Sequence, residues 1–381
     1  MKIKVLYYLP SLYTAGGLER IITLKANYFA EKLGYTVIIL TSEQGARAPY
    51  YPLSDKIKLI DLNIHFDINS NKSILINVLR YPFKYYLFRK RFSSVLYDLK
   101  PDISVSTLRR ELLFINSIKD GSIKIGEFHA TRHFYHHVPI KGHSFFKELV
   151  KFPWEILFLR NLKKLKKLVL LTDEESQNWP ELINKTVIPN ALTFYPRNTS
   201  TCAEKRVIAV GRYVYQKGFD LLVEAWEHVH QRHPDWQLHI YGDGPEKPLL
   251  KQIVDLKLNG SCYLKEPVKN IEEKYLESSI FVLSSRFEGF GIVLAEAMSC
   301  GVPAVSFACP CGPKEIIRDN EDGLLVQPEN IADMAKKICY LIENEQIRIE
   351  MGRKARKNIE RLKMENVANH WISLFNELMT R

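Results

Sequence analysis

Glu288 and Glu296 stand at either end of Glu-Gly-Phe-Gly-Ile-Val-Leu-Ala-Glu, two carboxylates with a Gly-Phe-Gly turn between them. Carboxylates are strong acceptors for sugar hydroxyls. The apolar run Ile280–Ser284 just upstream predicts a buried strand. The run from Ile292 to Cys300 predicts a helix that stops at Gly301, with Pro303 beyond it. The unit is then strand, glycine turn, helix. Such a turn aims the backbone N–H groups of Gly289, Phe290, Gly291 and Ile292 at one point, which suits a phosphate. Glu288 would sit at the mouth of the turn and Glu296 about two helical turns on, at ~3.6 residues per turn. The pair would grip hydroxyls on either side of a bound diphosphate. The competing reading is a buried helix start with a capping acid and one solvated Glu.

Two further segments place charge and glycine in similar positions. Val207-Ile-Ala-Val-Gly211-Arg212 reads as a strand ending in Gly-Arg, and Lys217-Gly-Phe-Asp-Leu-Leu opens a helix. Arg212 and Lys217 would project from one loop at the carboxyl edge of a parallel sheet, where open α/β sheets bind ligands. An arginine forks onto phosphate and a lysine acts as a point charge, so both suit a diphosphate leaving group. They are otherwise a solvated pair of surface charges. Leu238-His-Ile-Tyr-Gly242-Asp-Gly244-Pro-Glu246 is another strand running into a glycine turn. Gly242 would let backbone approach a ligand, or the segment is a plain turn.

Gly-Arg-x4-Lys-Gly, Gly-Asp-Gly-Pro-Glu and Phe-Glu-Gly-Phe-Gly-x4-Glu, in this order and spacing, resemble the nucleotide-sugar half of family-4-type retaining glycosyltransferases. The resemblance covers Val207 to Val326 strongly and the first half more loosely. It implies an α/β protein of the GT-B type, two Rossmann-like parallel-sheet domains facing across a cleft. It implies transfer with retention from a nucleotide-sugar substrate, UDP-linked by similarity to envelope-sugar enzymes, to a glycan or lipid-linked acceptor. Arg212, Lys217 and the Phe290–Gly291 amides would stabilise the leaving diphosphate, Glu288 would hold sugar hydroxyls, and Glu296 would hold the ribose. Gly211, Gly242, Gly289 and Ile292 would border the donor. No metal or other cofactor is expected, and no Asp-x-Asp occurs in the chain.

In the first half, Ala15-Gly16-Gly17-Leu-Glu19-Arg20 follows the first apolar run. In the resembled family this loop contacts the diphosphate or the sugar; alternatively it is a simple strand-to-helix turn. Glu19 and Arg20 read as first-turn helix charges. Glu127-Phe-His129 ends another strand, and His129 resembles the family histidine that faces the transferred sugar, although a lone His is often structural. His129, His133 and His137 share i, i+4 spacing. Without nearby Cys or acidic ligands, and with Pro139 following, a zinc site is the weaker reading. Cys309-Pro-Cys311 is too tight for an ordinary disulfide, and reduced cysteines in a cytosolic enzyme fit the spacing better. Gly312 and Pro313 precede a short helix expected near Lys314, in a stretch resembling a Cys-Pro-Thr-Gly-Pro version with Cys311 in place of Thr.

Charge is unevenly placed. Residues 1–190 hold 29 Lys and Arg against 17 Asp and Glu, while the rest hold 25 against 26. Lys72 to Arg91 sets Arg80, Lys84, Arg89, Lys90 and Arg91 among aromatic and aliphatic residues with no acid, and Phe145 to Lys167 sets Phe146, Phe152, Trp154, Leu157 and Phe158 before Arg160, Lys163, Lys164, Lys166 and Lys167. Such segments suit an anionic membrane surface on the inner face of the cell membrane. They also suit helices with one wet, basic face. No nucleic-acid module is present. No run reaches the ~18 apolar residues of a membrane span, and the basic, apolar start ends at Pro10 without a cleavage site, so it reads as a strand. A nucleotide-sugar epimerase or sugar phosphorylase on the same scaffold is the alternative activity. An NAD oxidoreductase ranks below both, because no Gly-x-Gly-x-x-Gly follows the first strand.

The elements that must position these groups alternate. Predicted strands fall at Lys4–Leu9, Val37–Thr41, Ile103–Ser106, Lys124–Phe128 and Leu168–Thr172, then at Val207–Val210, Leu238–Tyr241, Cys262–Leu264, Ile280–Ser284, Val305–Phe307 and Leu324–Val326. Helical patterns between them imply parallel sheets. With 381 residues, two domains fit. Residues 1–190 would bind the acceptor and 191–364 the nucleotide sugar, with a Pro- and Asn-rich linker between. The last helix, 365–381, would cross back to the first domain, as the resemblance implies. Oligomeric state is not legible.

Overall fold

The computed structural model describes residues 2–66, 74–132 and 155–380. Two all-parallel sheets organise them. The first contains β1 (Lys4–Tyr8), β2 (Thr36–Thr41), β3 (Lys58–Asp61), β4 (Ile103–Ser106), β5 (Ile123–Glu127), β6 (Lys167–Leu170) and β7 (Lys185–Val187), in the order β3-β2-β1-β4-β5-β6-β7. The second contains β8 (Arg206–Val210), β9 (Gln237–Tyr241), β10 (Cys262–Lys265), β11 (Ile280–Leu283), β12 (Ala304–Phe307) and β13 (Gly323–Val326), in the order β10-β9-β8-β11-β12-β13. In each sheet the first strand in sequence lies inside, and the order reverses beside it. That reversal opens a crevice at the carboxyl ends, where ligands bind in such sheets.

Central strands read as continuous apolar runs because helices cover both faces. In β1, Val5 and Tyr7 enter one core, and Leu6 and Tyr8 the other. The sequence reading misses β3 and β7. Both are edge strands of mixed composition, Lys-Leu-Ile-Asp and Lys-Thr-Val, with no fully buried residue; they lack the apolar run that marks the inner strands.

The final helix, Met364–Met379, packs on the first sheet although its chain leaves the second. Its Phe375 meets Phe29 of the helix Gly17–Glu31 edge-on at 5.8 Å. No helix among the described residues is long and apolar enough to cross a membrane.

Candidate functional site

The site is built from loops that leave the carboxyl ends of β1, β5, β8, β9, β11 and β12. After β8 the chain turns through Gly211 and exposed Arg212 into the short turn Tyr215–Lys217. Lys217 Nζ donates to Glu288 Oε1 at 2.7 Å, and Ser285 Oγ donates to the same oxygen at 2.6 Å. Neither partner is left to chance. Ser284 Oγ donates to the Lys217 carbonyl at 2.9 Å, Gln216 Nε2 to the Phe287 carbonyl at 3.1 Å, and Arg286 forks onto Asp220 at 2.9 and 2.6 Å. These crosslinks fix the two loops against each other, as a precise site requires.

Gly291 begins the helix Ile292–Ser299 with φ 87°, a conformation open to glycine. Among the described residues, none accepts from the backbone N–H of Phe290, Gly291, Ile292 or Val293. They lie at the start of this helix, whose positive end suits an anion. Gly289 has its own reason: a Cβ there would come within 2.7 Å of the His129 carbonyl, so the two halves of the protein touch at this point. By contrast, the N–H groups of Gly211 and Gly242 are already spent, on the Tyr241 and Lys265 carbonyls at 3.0 and 2.9 Å. These two glycines can offer close approach but not donors.

On the facing half, Gly16 caps the helix Gly17–Glu31, and Glu19 folds back to accept from Thr14 Oγ1 at 2.8 Å. Reading Arg20 as a plain first-turn charge fails: Arg20 Nη1 crosses the cleft to Glu296 Oε1 at 2.8 Å. Glu296 is 1% exposed and also accepts from Thr193 Oγ1 at 2.6 Å and Tyr275 at 3.4 Å. No sequence signal marks this pairing, because its partners are distant in the chain.

His129 Nε2 lies 3.1 Å from Glu127 Oε1. Buried Lys25 pairs with the same carboxylate and lies over the Trp371 ring. Burial alone would raise the Glu127 carboxyl; the charges of Lys25 and then His129, with the hydrogen bond from Lys25, outweigh it and hold it down to about 2. The sequence does carry a sign of Lys25, which shares the buried face of its helix with Ile21, Ile22 and Phe29.

A second tie closes the rim. Glu174 Oε2 accepts from the Cys311 N–H at 3.1 Å, its Oε1 accepts from Lys314 at 2.7 Å, and its own N–H donates to Glu315 Oε1 at 2.8 Å. Cys311 Sγ donates to Glu175 at 3.1 Å. Burial pushes the Cys311 thiol up, and all six cysteines are free. His133 and His137 lie outside the described residues, among which no cluster of metal-binding side chains occurs.

Residues 196–358 match the family profile described as glycosyl transferases group 1. An uncharacterized glycosyltransferase of Haemophilus influenzae is 27% identical over 97% of this chain and 98% of its own. The amylovoran biosynthesis glycosyltransferase AmsD of Erwinia amylovora is 29% identical over 98% and 99%. In fold, the chain is similar to Staphylococcus aureus TarM solved with alpha-GlcNAc-glycerol and UDP, at TM-score 0.76, 20% identity and coverage of 98% and 100%. Two facing parallel sheets, this cleft and these matches together identify the protein as a glycosyltransferase of GT-B architecture that carries a group 1 glycosyltransferase domain.

Proposed function

We propose that the protein transfers a hexose or N-acetylhexosamine from a nucleotide diphosphate sugar, with retention, to a glycan or lipid-linked acceptor in bacterial surface polysaccharide synthesis. The observation that carries this reading is the meeting of Lys217, Glu288 and four backbone donors without an acceptor among the described residues, at one end of a cleft whose other wall holds His129. A UDP-sugar is the favoured donor, by similarity to TarM, which was solved with UDP. AmsD, named for amylovoran biosynthesis, supports the polysaccharide assignment.

In this mechanism the bond from the sugar C1 to the diphosphate oxygen breaks while the acceptor oxygen bonds to C1 from the same face. The acceptor proton passes to the departing phosphate oxygen. Arg212, Lys217 and the Phe290–Gly291 amides take up the negative charge that develops there; preorganised donors of this kind contribute about 3–4 kcal/mol each when probed singly. Glu288 orients sugar hydroxyls through Oε2, since its Oε1 is held by Lys217 and Ser285. His129 donates to a sugar hydroxyl from the opposite wall. Glu296 takes the ribose. These cationic and backbone groups do the work without a metal.

The acceptor side of this reading lies at a membrane. In the helix Ile74–Leu99, Leu79, Phe83 and Tyr86 recur at helical spacing and are exposed, beside exposed Arg80, Arg89 and Lys90. Phe88, Phe92 and Leu96 of the same helix are buried. One side therefore packs into the core, while the other suits an anionic lipid surface at the cytoplasmic face. The segment from Phe145 to Trp154 lies outside the described residues.

The test is a donor screen with UDP-, GDP- and ADP-sugars, following nucleotide release with and without lipid-linked glycan extract and with EDTA. Release of UDP only with extract, insensitive to EDTA, is the expected result. Release or isomerisation without acceptor would overturn transfer, and loss of activity in EDTA would overturn the metal-independent mechanism.

A further inference from the structure

Glu296 is not waiting empty for a ligand. A carboxylate offers about four acceptor positions, two on each oxygen. Both positions on Oε1 are filled, by Arg20 at 2.8 Å and Thr193 at 2.6 Å, while among the described residues Oε2 carries only the long contact to Tyr275 at 3.4 Å. A ribose diol that engages both carboxylate oxygens must therefore remove a donor from Oε1.

The two candidates differ in what holds them. Thr193 sits on the chain segment that joins the two sheets, and its neighbour Leu192 donates to the Leu362 carbonyl at 2.8 Å. Arg20 comes from the far wall of the cleft and is 25% exposed along its side chain, so it can withdraw into solvent. Its guanidinium also lies 5.6 Å from the Tyr51 ring and 5.4 Å from Phe194. Contact with aromatic faces keeps a guanidinium stabilised after it loses a carboxylate.

We propose that Arg20 competes with the donor's ribose for Glu296: it pairs with the buried carboxylate in the empty enzyme, and nucleotide binding displaces it. This rests on the reading of Glu296 as the ribose acceptor. Arg20 thereby becomes a determinant of nucleotide affinity. It offsets part of the binding energy when the donor enters and returns that energy when the nucleoside diphosphate leaves. Product release limits turnover in many enzymes, and a charge that recaptures Glu296 hastens it.

The test compares UDP with 2′,3′-dideoxy-UDP by calorimetry at pH 8, on the wild-type chain, Arg20→Gln and Glu296→Gln. The wild type is expected to favour UDP. Arg20→Gln should bind UDP about five- to tenfold tighter, the worth of roughly one charge-assisted hydrogen bond in competition, while dideoxy-UDP is unchanged. The preference for UDP over the dideoxy compound then widens, which a merely structural role would not produce. If Arg20→Gln weakens both nucleotides alike, Arg20 is a direct ligand and the proposal fails; it fails equally if neither affinity changes. A wild type with no preference for the diol, or a Glu296→Gln variant that keeps the full wild-type preference, would instead overturn the ribose reading of Glu296. Thermal melting checks each fold. Should Arg20→Gln not fold, Arg20→Lys, which keeps the charge but loses the fork, is expected to shift the ratio in the same direction by a smaller factor, and an unchanged ratio would overturn the proposal.

Discussion

Lys217 Nζ lies 2.7 Å from Glu288 Oε1, and the two side chains reach that contact from loops after neighbouring strands, β8 and β11. The pair joins the cation meant for the leaving group to the carboxylate meant for the sugar. Each therefore fixes the other before substrate arrives, and neither must reorganise during transfer.

Lys217→Ala should reduce turnover by about a hundredfold or more, because it removes a donor whose worth is realised as charge develops. Affinity for the nucleotide should change only a few-fold, since Arg212 and the backbone amides remain. Steady-state kinetics beside calorimetry separates the two. Turnover within a few-fold of wild type would remove Lys217 from the leaving-group role.

Glu127 gives a pH dependence. Its carboxyl is held down to about 2 by Lys25 and His129 against the cost of burial. A carboxyl that titrates lower in the folded chain than in the unfolded one stabilises the fold above its unfolded value and loses that contribution as pH falls. Melting temperature should accordingly fall between about pH 4.5 and pH 2. Glu127→Gln should flatten this limb and cost about 3–5 kcal/mol at neutral pH, the usual consequence of stranding a buried partner charge. The double variant Lys25→Met with Glu127→Leu should recover much of that loss, since it leaves no buried charge unpaired.

How much of this could be read from the chain depends on range. Strand, turn and helix around Glu288 are local, so the alternation of apolar runs with Gly-Phe-Gly was sufficient to place them. The inner strands were legible for the same reason, while edge strands β3 and β7, exposed and mixed, left no pattern. Arg20 on Glu296, and Cys311 beside Glu174 and Glu175, are contacts between distant parts of the chain. No spacing rule within one segment reports them. Lys25 lies between, since its place on an apolar helix face signals a buried charge without naming Glu127 as the partner.

The rim tie should limit opening. Glu174 accepts from Lys314 and from the Cys311 N–H, so Glu174→Ala removes two bonds across the cleft together. It is partly exposed, and the effect on global stability should stay within about 1 kcal/mol. The ligand-free enzyme should instead show a larger radius of gyration by small-angle scattering. An unchanged radius in both free and UDP-bound forms would mean that other contacts hold the halves together.

Membrane attachment tests the exposed side of the helix Ile74–Leu99. Phe83→Ser and Tyr86→Ser remove apolar surface that no core residue needs, since both side chains are exposed. Arg80→Glu and Lys90→Glu reverse charge on the same side. Each basic residue near an anionic bilayer contributes about 1 kcal/mol, so the double reversal should lower sedimentation with vesicles of phosphatidylglycerol by more than tenfold. Wild-type binding should weaken with added salt, as surface electrostatics are screened within about 8 Å at 0.15 M. Vesicles of phosphatidylcholine alone should retain little of the protein. Activity on a water-soluble acceptor should be untouched by all four changes, because none lies among the loops that bear Lys217, Glu288, His129 or Glu296. If vesicle binding survives the charge reversals, this helix is an ordinary wet-faced element and the acceptor reaches the cleft by another face.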